Sequence, residues 1–396
     1  MNNISLAVST NVCTGCGACG DNCPTECIKY TEDEEGFTIP IVDFSSCISC
    51  GACIKHCHAL NYNSETLNRP NSAVLFASNN PSIYRLGASG GAFGELAYIF
   101  DKIGYKIYGS VFDDDFIPVH RMLGENATLD QMQGSKYVQS NTIGIFREIK
   151  QHLSSGEKVL FSGTPCQVSG LKCYLGSMDC DLLTVDIVCH GVPSPMLWQF
   201  HLHNKYYELK RSLDIRFRNK VKYDRYGYVL QFSTSSRDVQ IPYTDDVFYS
   251  LFMKNFTLRE CCYRCGYACV NRISDITLGD CATISKYPSF NDIASGSLVL
   301  ANTEKGQRAI EIMLRNGKST PVNLDHEVWV NRQLHAPASR PKQRDVVYKD
   351  LLNLDYSQFS EKYLPKFEKS SGIKAMVKRK VSWQLKQRIR TILGRE

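Results

Sequence analysis

Cys13-Thr14-Gly15-Cys16-Gly17-Ala18-Cys19-Gly20-Asp21-Asn22-Cys23-Pro24 is the stretch that decides how this chain begins. Its spacing, Cys-x2-Cys-x2-Cys-x3-Cys, returns 34 residues later as Cys47, Cys50, Cys53 and Cys57. Each copy carries Gly-Ala-Cys inside it, so the segment is an internal duplication. A cubane iron–sulfur cluster needs four thiolates around a compact core. Three cysteines at two-residue gaps wrap three irons, and the fourth serves the neighbouring cluster. The pattern predicts two [4Fe–4S] clusters. One is held by Cys13, Cys16, Cys19 and Cys57, the other by Cys47, Cys50, Cys53 and Cys23. Tetrahedral zinc is the rival for Cys-x2-Cys spacing; two identical four-cysteine runs, one ending in Cys-Pro, favour iron–sulfur. His58 stands where the pattern usually has proline, and Cys27 is left over as a buried thiol.

The remaining sequence supports a redox protein. Of 18 cysteines, nine precede residue 60, none falls between 58 and 165, and none follows Cys281. Met1–Thr10 has neither the cationic start nor the apolar centre of an export signal. No apolar stretch approaches the ~20 residues that span a bilayer. The expected location is therefore cytoplasmic, where disulfides are rare and clustered cysteines point to metal or redox chemistry. Net charge is +6 over 396 residues. Residues 372–396 carry eight cations against Glu396 alone, so the body is close to neutral and the tail is basic. The tail reads as a helix with Val377, Val381, Leu385, Ile389 and Ile392 on one face. It is a solvated helix, a peripheral membrane-surface contact or a partner-docking element; no nucleic acid is expected.

Four segments follow from composition and periodicity: a ferredoxin-like domain over 1–62, a polar linker over 63–81, an oxidoreductase domain over 82–345, and a helical basic tail over 346–396. Lys158–Phe161 and Leu182–Val188 are apolar strands separated by a helix over Gln167–Leu175. This is a βαβ unit, so the strands should be parallel. Cys166 and Cys189 lie just past their carboxyl ends, where open α/β sheets bind ligands. With Cys262-x2-Cys265 they make a third set of four thiols, able to hold a further cluster or to stay as inert buried thiols. Cys261 or Cys269 could replace one of them. Tyr226–Phe232 and Asp238–Tyr243 read as a hairpin. Ser89-Gly90-Gly91 opens a helix whose first amides could hold a phosphate. Lys136 is either its countercharge or a surface lysine. Thr164 either meets a ligand or caps the next helix. His190 is the candidate proton donor. Asp275 and Asp280 bind ribose-type hydroxyls or cap strand ends.

Five motifs in order resemble one family. They are Gly87-Ala88-Ser89-Gly90-Gly91, Gly134-Ser135-Lys136-Tyr137-Val138-Gln139-Ser140, Phe161-Ser162-Gly163-Thr164-Pro165-Cys166-Gln167, Asp186–Ser194 and Ser274–Asp280. Over about 82–300 the chain resembles the coenzyme F420 hydrogenase/dehydrogenase beta-subunit family, preceded by a fused dicluster ferredoxin domain. The resemblance implies an α/β (α+β) flavin/iron–sulfur catalytic domain that binds FAD and a further [4Fe–4S] cluster. Such a domain relays electrons between a ferredoxin-like carrier or redox partner protein and a small organic two-electron substrate, whose identity the family name leaves open. A flavin is needed because clusters carry single electrons whereas hydride chemistry takes two. The alternative is a non-catalytic electron-transfer subunit of a larger complex. Members usually follow Leu-Gly-Asp with Phe-Trp; this chain has Cys281-Ala282.

Overall fold

The computed structural model describes residues 3–124, 126–206, 214–220, 228–235 and 237–364. Thirteen strands follow one another along the chain. They are β1 (Ile28–Glu32), β2 (Thr38–Val42), β3 (Ser72–Ser78), β4 (Tyr105–Phe112), β5 (Pro118–Met122), β6 (Lys158–Gly163), β7 (Leu182–Ile187), β8 (Asp214–Arg216), β9 (Val229–Ser233), β10 (Asp238–Pro242), β11 (Ile276–Asp280), β12 (Ser297–Ala301) and β13 (Gly317–Pro321).

Eight of them form the central sheet, in the order β13-β3-β12-β11-β7-β6-β4-β5. As the βαβ pattern requires, β6 and β7 are parallel, pairing Leu160 with Leu183 and Ser162 with Val185. β4 is parallel to β6, and β11 to β7. β3 pairs antiparallel with β12, which itself runs antiparallel to β11. β3 thus points the same way as the four parallel strands, and five carboxyl ends open on one edge. Alternation along each strand divides the side chains between two faces. Leu160, Leu183 and Val185 pack with Leu96 and Ile310 from the helices Ala92–Lys102 and Glu304–Leu314. Val159 and Phe161 pack with Phe146 and Leu171 from Ile145–Ser154 and Pro165–Leu175.

Two expected boundaries change. The predicted linker, residues 63–81, contains β3, whose residues 73–78 are buried in the sheet. The run Ala73-Val-Leu-Phe-Ala is short, and the polar residues on both sides mask it. The predicted tail over 346–396 begins inside the body. The helices Arg344–Asn353 and Tyr356–Tyr363 pack on a second, aromatic core together with β8–β10 and the helices Pro195–Lys205 and Val247–Met253. The basic segment 372–396 lies outside the described residues. β9 and β10 form the expected hairpin, although its first predicted residue, Tyr226, is also outside them.

The N-terminal module is not a bead on a string. Its β1–β2 hairpin inserts Phe37, 1% exposed, into the aromatic core, where the ring lies 6.2 Å from Tyr348. Beside it the buried Arg344 guanidinium grips both carboxylate oxygens of Glu35 at 2.5 Å and donates to the Leu258 carbonyl at 2.8 Å. Two-point Arg–carboxylate pairing fixes orientation as well as distance. Truncating a buried phenylalanine typically costs about 3–5 kcal/mol. Phe37→Ala should lower unfolding stability by that order in urea titrations and speed proteolytic cleavage between residues 60 and 72; unchanged midpoint and cleavage would rule out this anchoring.

Candidate active site

The first set of thiols assembles as the crossed pattern requires. Cys16 lies within electrostatic reach of Cys13, Cys19 and Cys57, and Cys19 within reach of Cys13 and Cys57. Cys23 is absent from this group. Together with Cys47, Cys50 and Cys53 it lines a separate cavity. Gly17 and Gly51, both with positive φ, start the short helices that turn each run back on itself. Among the described residues no three Cys, His or acidic side chains converge as a single metal ion would need; the thiols instead ring open volumes. The spare Cys27 is buried, with its sulfur 3.4 Å from that of Cys23.

Cys13, Cys16, Cys19 and Cys57 face the central sheet. Mid-helix Gly170 makes this possible, because a Cβ there would stand 2.9 Å from the Cys16 sulfur. The helix it belongs to, Pro165–Leu175, is the one that begins with Cys166. Arg259 completes the junction. Its guanidinium donates to the carbonyls of Cys13 (2.8 Å) and Thr38 (3.0 Å) and to Gln139 Oε1 (3.1 Å). His58, 2% exposed, bridges as well: its ring lies 2.9 Å from Thr14 Oγ1 and 2.9 Å from Tyr267 Oη, which donates to Ser169 at 2.7 Å. Burial lowers the His58 pKa to about 4, so the bridge is a neutral imidazole.

The third set of thiols also forms, with one change of member. Cys166 lies within electrostatic reach of Cys189 and Cys261, Cys189 of Cys265, and Cys265 of Cys166 and Cys261. Cys262, the residue expected from the Cys-x2-Cys spacing, packs against Gly191 and the aromatic core instead. Residues 260–264 form a 3₁₀ turn, which sends neighbouring side chains to different sides. Burial pushes the thiols of Cys166, Cys189 and Cys265 up to about 12. They need a cation to become thiolates, which suits a metal-ligand set. Arg272 braces this group. It donates to the Cys269 and Tyr267 carbonyls and to Asp186 Oδ1 at 3.1 Å, tying the cysteine loop to β7.

Over the open edge of the sheet lies a cleft of about 570 Å³. Its walls are the segments after β3, β6, β7 and β11, together with 132–140 and 330–333, so the five sequence motifs meet in one place. Cys166 and Cys189 line it, which puts the third thiol set against its floor. Ser89, Gly90 and Gly91 do not form a free phosphate cradle. The Gly90 and Ala92 amides donate to Ser297 Oγ at 2.9 and 3.4 Å. A Cβ on Gly90 would meet the Phe76 carbonyl at 1.9 Å, so this glycine serves close packing on β3. Thr164 is a helix cap: its hydroxyl lies 3.1 Å from Gln167 Oε1 and 3.1 Å from the Cys166 sulfur. Lys136 lines the cleft and donates to the Gln133 carbonyl at 3.3 Å. Burial and nearby Arg216 lower its pKa to about 7.

His190 also lines the cleft, with Nδ1 3.0 Å from Gln333 Nε2 and its ring edge-on to Phe252. Burial lowers its pKa, so it is neutral near pH 7. Asp275 is structural: it accepts from Thr184 N–H (2.8 Å), Thr184 Oγ1 (2.7 Å) and Thr303 Oγ1 (2.8 Å). Asp280 faces the cleft and pairs with Arg218 at 2.8 Å. Sequence reasoning missed Arg218, Arg259 and the 330–333 wall. For Arg218 a signal existed in the alternation Arg216-Phe-Arg218-Asn-Lys220. Where the Phe-Trp pair is missing, Glu327 accepts from the Ala282 and Thr283 amides at 3.1 Å each and holds the helix Leu324–Val330 against that turn.

Residues 156–327 match the family model for the C terminus of the coenzyme F420 hydrogenase/dehydrogenase beta subunit, and residues 12–60 match the 4Fe-4S dicluster domain. A ferredoxin-type protein, NapF, of Haemophilus influenzae is 40% identical over 42 residues, 11% of this chain. The match spans about a quarter (24%) of that relative. Among solved structures, the F420-reducing [NiFe] hydrogenase complex from Methanosarcina barkeri, in a xenon derivative, aligns with TM-score 0.45 and 14% identity over 76% of this chain and 93% of that one. No helix among the described residues is long and apolar enough to cross a membrane.

The two runs can be separated by iron content. A Cys16→Ser/Cys57→Ser double variant should lose one cluster, about four irons, whereas Cys16→Ser/Cys23→Ser should lose both. Sequential ligation within each run would reverse the two results.

Proposed function

Given a chain that belongs over residues 156–327 to the coenzyme F420 hydrogenase/dehydrogenase beta-subunit family and over 12–60 to the 4Fe-4S dicluster domains, we propose an iron–sulfur flavoprotein oxidoreductase. It exchanges electrons with a carrier protein and reduces or oxidises a small organic substrate. Its iron–sulfur, electron-transferring character follows from the two matched domains; the flavin, the third cluster and the substrate belong to the proposal. The observation that carries it is the placement of the Cys166–Cys189–Cys261–Cys265 thiols between the first thiol set and the floor of the cleft.

Bound clusters would supply one-electron steps, and a flavin in the cleft would join pairs of them to hydride chemistry. The protein's own residues do the rest. Arg259, held by Cys13 and Thr38 carbonyls, keeps the first thiol set against the third. Arg272 fixes the loop bearing Cys261 and Cys265 beside the strand end bearing Cys189. Phe252 and Gln333 orient the neutral His190 ring at the cleft wall, where an N–H can bond to a substrate oxygen or nitrogen. The second run is the one that faces outward. Cys50 is exposed, with Phe44 and Ile48 more than 60% exposed beside it, which suits brief docking of a ferredoxin-like carrier.

Fit of the residues to a flavin rests on buried polar atoms at the cleft with no protein partner among the described residues, namely both amide atoms of Gln133 and Nε of Arg218. Iron, sulfide and flavin content of anaerobically purified full-length protein is the direct test. The expected result is about twelve irons and one FAD per chain. Cys261→Ser should remove about four of the irons while Cys262→Ser keeps them. Full iron with no flavin, even after reconstitution, would leave an electron-transfer subunit without its own catalytic site.

A further inference from the structure

Residues 214–220 run along the cleft beside the Gly87–Gly91 turn and place Arg216, Arg218 and Lys220 at alternate positions. Arg216 donates to Asp214 at 2.6 Å and to the Leu86 carbonyl at 3.2 Å. Arg218, 6% exposed, donates through Nη1 to Asp280 at 2.8 Å and to Tyr137 Oη at 3.3 Å, and stacks 4.8 Å over Tyr228. Its buried Nε has no partner among the described residues. Lys220 donates to the carbonyls of Gly87, at 2.5 Å, and Tyr84, and lies 4.5 Å over the Tyr84 ring. Lys136 enters from the opposite wall, near Arg216. Neither lysine has an acidic partner within ion-pair distance among the described residues, which leaves Asp214 and Asp280 as the acids facing four cations.

Packing cations together in a half-dry cleft is costly unless something negative joins them. The strain is visible in both lysines: burial, with Arg216 beside Lys136 and Arg218 beside Lys220, brings each pKa down to about 7. The expected glycine cradle cannot meet the demand, because the Gly90 and Ala92 amides are spent on Ser297. Guanidinium and ammonium groups in one place, with a donor to spare, match the geometry of phosphate oxygens.

We propose that Lys136, Arg216, Arg218 and Lys220 form an oxyanion site that takes the phosphate or diphosphate of the ligand in this cleft. The site rests on the reading of the cleft as a ligand-binding one. It narrows the ligand to a phosphorylated molecule, which is either a flavin dinucleotide or a phosphorylated substrate.

Inorganic pyrophosphate is the probe, titrated calorimetrically into the full-length protein, with Arg218→Gln and Lys220→Gln as variants and Lys106→Gln, on the outer surface, as control. The wild type and the control should bind it, and each site variant should bind it at least tenfold more weakly. Absence of binding by the wild type, or variants that bind as tightly as the control, would overturn the site. Either site variant alone suffices if the other fails to fold, as judged by its cooperative unfolding. A second titration uses protein loaded with FAD. Loss of pyrophosphate binding there assigns the site to the dinucleotide; persistence of variant-sensitive binding assigns it to a phosphorylated substrate. Because the first titration reads the anion alone, it fails or succeeds independently of whether iron and flavin are found.

Discussion

Arg259 is the joint on which the molecule turns. A single buried guanidinium bonds to carbonyls of the N-terminal module and to Gln139 of the larger domain. Gln139 in turn donates to the Thr14 carbonyl at 3.1 Å, and Thr142 to that of Cys16 at 2.9 Å. These carbonyls belong to the first cysteine run itself or to the hairpin that follows it. A guanidinium presents donors in a fixed plane, so these bonds specify direction as well as contact. Electron transfer is steeply sensitive to separation, and the joint sets the separation between the first thiol set and Cys261, whose position follows Arg259 by two residues.

The rest of the architecture serves the same end. Five strands that point one way bring five loops to one edge, and the cysteines after β6 and β7 arrive side by side because the strands are parallel. Phe37 and Arg344 anchor the β1–β2 hairpin from the other side. The N-terminal module is thereby gripped at two places, and its second cysteine run is left facing outward. One run is buried against the sheet and the other is exposed. Under the proposed function, this gives two similar sequence repeats different tasks: one meets the carrier and the other meets the cleft.

The cleft itself is more cationic and less glycine-dependent than its motifs suggest. Gly90 is required by the Phe76 carbonyl. Thr164 and Asp275 are satisfied within the protein. The groups left over for a ligand are Lys136, Arg218, Lys220, Gln133 and His190. The Cys281-Ala282 departure removes an aromatic wall, and the segment held by Glu327 takes its place, with Gln333 reaching His190.

The sequence by itself determined whatever is written in local spacing: the two cysteine runs and their crossed membership, the parallel β6–β7 pair, the hairpin, and the helix after Gly91. These depend on residues close together in the chain or on a repeat. Only the tertiary structure decided that β3 belongs to the sheet and that residues 344–364 belong to the body. It also decided that Cys261 rather than Cys262 faces Cys166, and that Gly90 packs rather than binds. Each of these turns on a contact between segments tens to hundreds of residues apart, and on which side of a turn a side chain leaves it. Spacing along the chain carries no record of either.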